Sequence, residues 1–221
     1  SIWDTFAHDP GNIFENGNGD ISCDSYHQLD ADLYMLRSLG VNSYRFSISW
    51  SRIFPTGQAP VNAKGVEYYN RLIDGLVASN ISPMVTLYHF DLPQALQDLG
   101  GWENDIVLEA FHSYADYCFR TFGDRVKFWM TFNQPHSIVT AGYGTGVIPP
   151  GVKDDPGSAP YRVARNLLKV HARVYHTYDE KYRAGQGGVI SISLNTEWVE
   201  PKDRTEPRDI EAADRYLQLT L

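Results

Sequence analysis

The chain has 221 residues, of which 43% are hydrophobic and 21% are charged. These proportions are ordinary for a globular protein and exclude a disordered, collagen-like or disulfide-dense chain. Its 27 acidic and 19 basic residues give a formal net charge of −8 without a basic block, so we expect no nucleic-acid partner. No apolar run approaches the roughly 18 residues of a membrane span, so we expect no membrane span.

Strand-like and helix-like patterns alternate along the chain. Runs rich in β-branched and aromatic residues predict strands at 43–49, 83–89, 126–132 and 188–194. Apolar residues at helical spacing predict four helices, one before the first strand and one in each interval between strands. They are marked by Leu29, Leu33 and Leu36; by Tyr69, Leu72, Ile73, Leu76 and Val77; by Val107, Ala110, Phe111, Tyr114, Tyr117 and Cys118; and by Val163, Leu167, Val170 and Val174. Gly40 and Gly123 suit the ends of the first and third, and a last helix is predicted from Pro207 to Leu221. The alternation is typical of an α/β fold, in which helices cover a parallel sheet.

Polar and aromatic residues follow each predicted strand: Ser49-Trp50, His89-Phe90-Asp91, Asn133-Gln134-Pro135 and Asn195-Thr196-Glu197-Trp198. In parallel α/β folds, ligands bind beyond the carboxyl ends of the strands. A stretch rich in glycine and proline at 136–159 predicts a long functional or disordered loop. The sequence contains no nucleotide-binding glycine motif, no HExxH and no metal-binding spacing of histidines. We therefore expect a polar, aromatic-lined rim that uses no metal and no organic cofactor.

Cysteine usage and processing signals say little about the compartment. Cys23 and Cys118 allow either one bridge or two free thiols, although Cys118 lies in a periodic apolar stretch and is predicted to be a buried packing residue. The first residues do not form a signal peptide. The glycosylation triplet Asn80-Ile81-Ser82 is followed by Pro83 and gives slight support to secretion, so the localisation stays open.

Six ordered segments together resemble the family 1 glycoside hydrolases, and most of all animal β-glucosidases and lactase-like domains: SIWDTF (1–6), GDISCDSYH (19–27), YRFSISWSRIFPTG (44–57), TLYHFDLPQALQDLGGW (86–102), FGDRVKFWMTFNQP (122–135) and ISLNTEWVEP (192–201). The resemblance implies a TIM (β/α)8 barrel that hydrolyses β-linked glucosides or galactosides with retention of configuration. It implies that residues 1–221 are an incomplete single catalytic domain, a partial barrel with strands two to five and their helices. The first strand would precede Ser1, and strands six to eight, with the nucleophilic Glu, would follow Leu221.

The resemblance places Gln134, in TFNQP, where the family has its acid/base Glu. A glutamine amide can donate a hydrogen bond but cannot give a proton to a leaving oxygen, and such proton transfer typically contributes about 10²–10⁴-fold to the rate. Three explanations stay open. Gln134 is a deliberate change of Glu, or a natural departure in a binding or regulatory relative, or a thioglucosidase-type residue whose substrate has a good leaving group.

Four further positions carry roles that the resemblance implies. His89 would bind a glycone hydroxyl, Asn133 would hold the 2-hydroxyl, and Arg45 would pair with the nucleophile. Phe90 stands where many relatives have Trp and would stack on the sugar without an indole N–H.

Other candidates have plainer interpretations. We expect Trp50 and Trp102 to be packing residues, and Glu197 and Glu200 to lie in a solvated loop.

The function predicted from the sequence is that of one part of a retaining β-glycosidase. The alternative is a non-catalytic, klotho-like barrel that binds carbohydrate or protein, which Gln134 favours. A half barrel would expose two sheet edges and an apolar inner face, so we expect self-association or pairing with a complementary barrel half.

Overall fold

The computed structural model describes residues 1–220 of the chain. Within this range the strands are β1 (Ser43–Ser47), β2 (Ser82–Tyr88), β3 (Phe128–Asn133) and β4 (Val189–Ser193). The helices are α1 (Ile2–His8), α2 (Leu29–Leu39), α3 (Trp50–Ile53), α4 (Ala63–Ala78), α5 (Gln94–Gln97), α6 (Asp105–Phe122), α7 (Pro135–Ser137), α8 (Ala159–Lys181), α9 (Arg183–Gln186) and α10 (Pro207–Thr220). Short 3₁₀ turns occupy Phe14–Asn16 and Gly101–Glu103, and a π-helical turn occupies Ile138–Gly142.

The strands form a sheet in the order β1-β2-β3-β4, and each neighbouring pair is parallel. Helices connect every strand to the next, with α4 after β1, α6 after β2 and α8 after β3. Because all described strands run in one direction, their carboxyl ends lie along one edge of the sheet. The predicted α/β arrangement is therefore confirmed.

The core lies between the sheet and the helices. The ring of Phe132 on β3 lies 5.4 Å from that of Trp102 and 4.8 Å from that of Phe111 on α6. Trp50, at the start of α3, stacks on Tyr114 of α6 at 5.1 Å. All five side chains are fully buried, which confirms that Trp50 and Trp102 are packing residues.

The other face of the sheet carries Arg45 beside apolar side chains and is partly open to solvent. In register across it, Arg45 pairs with Met84, Met84 with Phe128, and Phe128 with Val189. The side chains of Phe128 and Val189 are 44% and 47% exposed. We call Met84, Phe128, Met130 and Val189 the open face.

Some predicted boundaries differ from the structure. The first strand ends before Ser49, because Ser49 is the N-cap of α3. Val77 is 44% exposed rather than part of the buried stripe of α4, because it lies near the end of the helix at the margin of that stripe. The predicted loop at 136–159 begins with α7 and its π-helical turn instead of irregular chain. The last predicted helix begins at Pro207 as expected, and Leu221 lies outside the described residues.

Candidate functional site

Arg45 of β1 is held by neutral acceptors on the next two strands. Its Nε donates to Thr86 Oγ1 at 3.1 Å, and its Nη2 donates to Asn133 Oδ1 at 2.7 Å. Thr86 and Asn133 are both buried, so the acceptors are fixed by their surroundings. Because Oδ1 of Asn133 accepts from Arg45, its NH₂ group is the part that can donate to a ligand.

A local irregularity in β3 turns Asn133 toward Arg45. Oγ1 of Thr131 lies 2.7 Å from Nδ1 of His171 on α8, and the next ring, Phe132, packs against α6. Two consecutive side chains thus face the helices, and the β3–β4 register shifts over the same residues. The shift returns Asn133 to the face that carries Arg45, as bulges do where a strand must redirect a side chain.

The residues after β2 form a tight turn at the same edge of the sheet. Phe90 has a φ of +70°, a left-handed conformation that is costly for a large side chain. The N–H of His89 donates to Oδ1 of Asp91 at 3.2 Å, and the rings of His89 and Phe90 meet edge to face at 5.3 Å. Partial burial of its ring, and then the charge of Arg45, lower the pKa of His89. The imidazole is therefore neutral at neutral pH and can either donate or accept a hydrogen bond.

Two buried or half-buried groups tie the ends of β1 and β2 together beneath this turn. Burial raises the pKa of Asp91, against hydrogen bonds from the N–H of His89 and the hydroxyl of Ser49, which lower it. The hydroxyl of Tyr114 contacts the carbonyl oxygens of Ile48 and Leu87 at 2.9 and 3.0 Å. These contacts fix the backbone from which His89 projects.

Gln134 follows Asn133 directly and also has a left-handed backbone, with a φ of +45°. Its N–H donates to the carbonyl oxygen of Ser193, at the end of β4, at 2.7 Å. The hydroxyl of Ser137 lies 3.4 Å from Oε1 of Gln134, which is half-buried. This contact directs Oε1 toward α7, so the Nε2 amide is the group that can donate elsewhere.

The structure thus brings most of the predicted site residues to one edge of the sheet. Arg45 contacts Asn133 directly, the charge of Arg45 acts on His89, Phe90 adjoins His89, and Gln134 adjoins Asn133.

The carboxylates after β4 lie outside this group. Glu197 accepts from the hydroxyl of Tyr216, and Glu200 pairs with Arg204. Both glutamates are exposed, which confirms their predicted place in a solvated loop.

Within residues 1–220 no group of three His, Cys, Asp or Glu side chains is placed to hold a metal ion. The same residues include no helix of the length and hydrophobicity needed to cross a membrane. Cys23 is exposed, whereas Cys118 is buried, and burial raises the pKa of the Cys118 thiol. The prediction that Cys118 is a packing residue is confirmed.

The supporting roles of three residues were not predicted from the sequence. Thr86 is a polar residue inside an apolar strand, which is a signal that could have been used. Asp91 and Ser137 each follow a strand end by a few residues. Asp91 accepts a hydrogen bond from the backbone N–H of His89, and the hydroxyl of Ser137 contacts the side chain of Gln134 in the same turn. Composition and periodicity do not show such local contacts.

Comparison with known proteins decides the family. The family model for glycosyl hydrolase family 1 matches residues 1–221. The chain belongs to this family. Human lactase/phlorizin hydrolase is 69% identical over 223 residues, and human cytosolic β-glucosidase is 46% identical over 222 residues. Both alignments cover 100% of the chain, but only 12% and 47% of the respective relatives.

Solved structures in family 1 share the fold. One is a rice β-glucosidase, described as a Glu-to-Gln mutant in a covalent complex with glucose, which has a TM-score of 0.93 at 43% identity. The match covers 100% of the present chain and 48% of the rice chain. Aphid myrosinase has a TM-score of 0.92 at 42% identity, and the match covers 99% of the present chain and 47% of the myrosinase chain. The chain thus spans about half the length of these family 1 structures, and its four parallel strands with their outer helices are a partial TIM (β/α)8 barrel.

Proposed function

We propose that the chain is part of a retaining β-glycosidase acting on β-linked glucosides or galactosides, and that residues 1–221 are one part of its single catalytic domain. The observation that carries the proposal is the hydrogen bond from Arg45 to Asn133, with His89 beside it, at the carboxyl ends of parallel strands. Membership in family 1, and the β-glucosidase and lactase/phlorizin hydrolase names of its relatives, support this substrate class.

In the proposed site, neutral and polar groups hold the sugar. Asn133 donates from its NH₂ group to the 2-hydroxyl, a contact that strengthens in the transition state. His89, being neutral at neutral pH, exchanges a hydrogen bond with another glycone hydroxyl. The ring of Phe90, beside His89, is an apolar surface on which the sugar stacks.

Arg45 provides the positive charge of the proposed site. Its hydrogen-bond partners, Thr86 and Asn133, are neutral and leave the charge uncompensated. A nearby cation stabilises a carboxylate and lowers its pKa. The nucleophilic carboxylate that Arg45 would orient belongs, in this proposal, to a further part of a longer protein. Retaining hydrolysis places that carboxylate roughly 5–5.5 Å from the proton-transfer group.

Gln134 occupies the proton-transfer position in the proposal. Its Nε2 amide can donate to the glycosidic oxygen but cannot protonate it, so substrates with good leaving groups react best. Thioglucosides and activated aryl glucosides fit this requirement. In the protein with Gln134, hydrolysis of ordinary glycosides is slow.

The test compares leaving groups in the full-length protein. We expect Gln134→Glu to raise hydrolysis of phenyl β-glucoside by about 10²–10⁴-fold, because the carboxyl supplies the missing proton. The gain is much smaller with dinitrophenyl β-glucoside, which leaves without protonation. Gln58→Glu, at an exposed position, adds the same charge and serves as the control. An equal gain for both variants, or none for either, contradicts the proposal.

A second function, a non-catalytic carbohydrate- or protein-binding barrel, is favoured by Gln134 alone. In that case Gln134→Glu leaves the full-length protein inert on both substrates while its sugar affinity is retained. Calorimetric titration with glucose and with the iminosugar deoxynojirimycin measures that affinity independently of turnover.

A further inference from the structure

The turn between α4 and β2 carries an acceptor triplet that the proposed catalytic function does not use. Asn80-Ile81-Ser82 satisfies the N-x-S/T pattern for N-linked glycosylation. The turn lies where β2 begins, whereas the Arg45–Asn133 site is built toward the carboxyl ends of the strands. A group attached here would project from the opposite end of the sheet and leave the site open.

The local fold presents the amide of Asn80 to solvent. Asn80 is exposed and has a φ of +54°, a left-handed conformation that asparagine adopts more readily than most residues. Its backbone N–H donates to the carbonyl oxygen of Val77 at 3.0 Å, and its side chain forms no hydrogen bond within residues 1–220. Ile81 is only 2% exposed and anchors the turn, while Ser82 is exposed.

A shallow groove lies beside Asn80 and offers a surface to an attached sugar. Its volume is about 330 Å³, and its lining includes the apolar side chains of Val77, Pro83 and Phe128. Arg125, which also lines it, is already paired with Asp74, so the groove holds no unpaired guanidinium. An N-acetylglucosamine on Asn80 could rest its apolar face here without displacing a core residue.

We propose that Asn80 is an N-glycosylation site of this protein. The donor is an oligosaccharide carried on a lipid diphosphate, and a transferase supplies the base. Nδ2 of Asn80 attacks C1 of the first N-acetylglucosamine and loses one proton to that base. The bond from C1 to the diphosphate oxygen breaks, and the lipid diphosphate leaves with the electron pair, so nothing is oxidised or reduced.

Pro83, directly after the triplet, makes the occupancy incomplete. Proline fixes its own φ and restricts the residue before it, which here is Ser82, the residue that the transferase must recognise. In the folded protein Pro83 is buried and pairs with Tyr44 across the sheet. Pro83 therefore contributes to the packing of β2 and at the same time lowers the fraction of chains that are glycosylated at Asn80.

The experiment translates the full chain, behind a cleavable signal sequence, in the presence of endoplasmic-reticulum microsomes. This readout does not require folding, because the transferase acts on the emerging chain. We expect a second, heavier band that peptide N-glycosidase removes, with conversion of Asn80 to Asp in the released peptide by mass spectrometry. The heavier band is lost in Asn80→Gln and in Ser82→Ala, and it gains intensity in Pro83→Ala.

Two results would overturn the proposal. One is a single band in both the unchanged chain and Pro83→Ala, with unmodified Asn80 in the peptide. The other is a heavier band that persists in Asn80→Gln. A signal-sequence fusion of a known glycoprotein, translated in parallel, shows that the microsomes are active.

Discussion

Arg45 and Asn133 are 88 residues apart in the chain and are joined by a hydrogen bond of 2.7 Å between Nη2 and Oδ1. The bond fixes the amide of Asn133 with its oxygen toward the cation, so its NH₂ group is the donor that is available to a ligand. It also keeps the guanidinium at the strand ends without neutralising it. One contact thus sets both the donor and the charge of the candidate site.

Asn133→Asp separates these two roles. The carboxylate can still accept from Arg45, and it adds an ion pair, but it has no proton to donate to a sugar hydroxyl. In the full-length protein we expect the affinity for glucose, which is uncharged, to fall about tenfold, the equivalent of one hydrogen bond of about 1.4 kcal/mol. Titration calorimetry measures the affinity.

Thermal unfolding of the same Asn133→Asp variant is its control. The midpoint should stay the same or rise, because the new ion pair with Arg45 replaces the lost neutral contact. An unchanged affinity would show that the NH₂ group of Asn133 does not contact the sugar.

Trp102 and Trp198 offer a matched comparison of a core and a surface aromatic. Trp102 is fully buried among other rings, whereas Trp198 is 79% exposed. Trp102→Ala should reduce the free energy of unfolding by about 3–5 kcal/mol, because the cavity cannot close around the lost ring. Trp198→Ala should change it by less than about 0.5 kcal/mol. Urea denaturation followed by circular dichroism measures both, and equal effects would contradict the described core.

The apolar patterns predicted the elements because burial on one face leaves a periodic trace in the sequence. Leu72 and Leu76 mark α4 in this way. Periodicity did not predict the site residues. The roles of His89 and Asn133 came from the resemblance to a family and not from their spacing in the sequence. The turn of Asn133 toward Arg45 was not predictable, because two consecutive side chains at the end of β3 face the helices and break the period of two on which strand prediction depends.

His171 should make stability depend on pH. Burial lowers its pKa from the ordinary value of 6.5. Between the lowered and the ordinary value, the unfolded chain binds more protons than the folded one, so the free energy of unfolding rises with pH. The contribution is fully present above about pH 6.5 and is lost as the pH falls toward the folded pKa.

We expect His171→Gln to flatten the slope of the free energy of unfolding between pH 5 and 7, by at most about 1.4 kcal/mol per pH unit for one proton. Urea denaturation at several pH values measures the slope. Leu168→Gln, at an exposed position on the same helix, is the control and should leave the slope as in the unchanged chain. A slope that is the same in all three proteins would show that His171 does not contribute.

The open face should make this chain associate when it is studied alone. Phe128 and Val189 are paired across β3 and β4 and are about half exposed, and in the described residues β1 and β4 each pair on one side only. Exposed apolar patches and unpaired strand edges both favour contact with another chain. Size-exclusion chromatography with light scattering should therefore show dimers or larger species. Phe128→Asp should shift the population toward monomer, because a carboxylate on this face must be desolvated on association.

The same change at Tyr161, which is 79% exposed on α8, adds an equal charge outside the open face. Tyr161→Asp should leave the association as it is in the unchanged chain, which separates the effect of position from that of net charge. If the unchanged chain were instead a compact monomer of 25.0 kDa with a cooperative melt at every concentration, the open face would not drive association. The apolar side chains of Met84 and Met130 would then be covered by rearrangement within the chain itself, and Phe128→Asp would lower the melting midpoint without changing the mass.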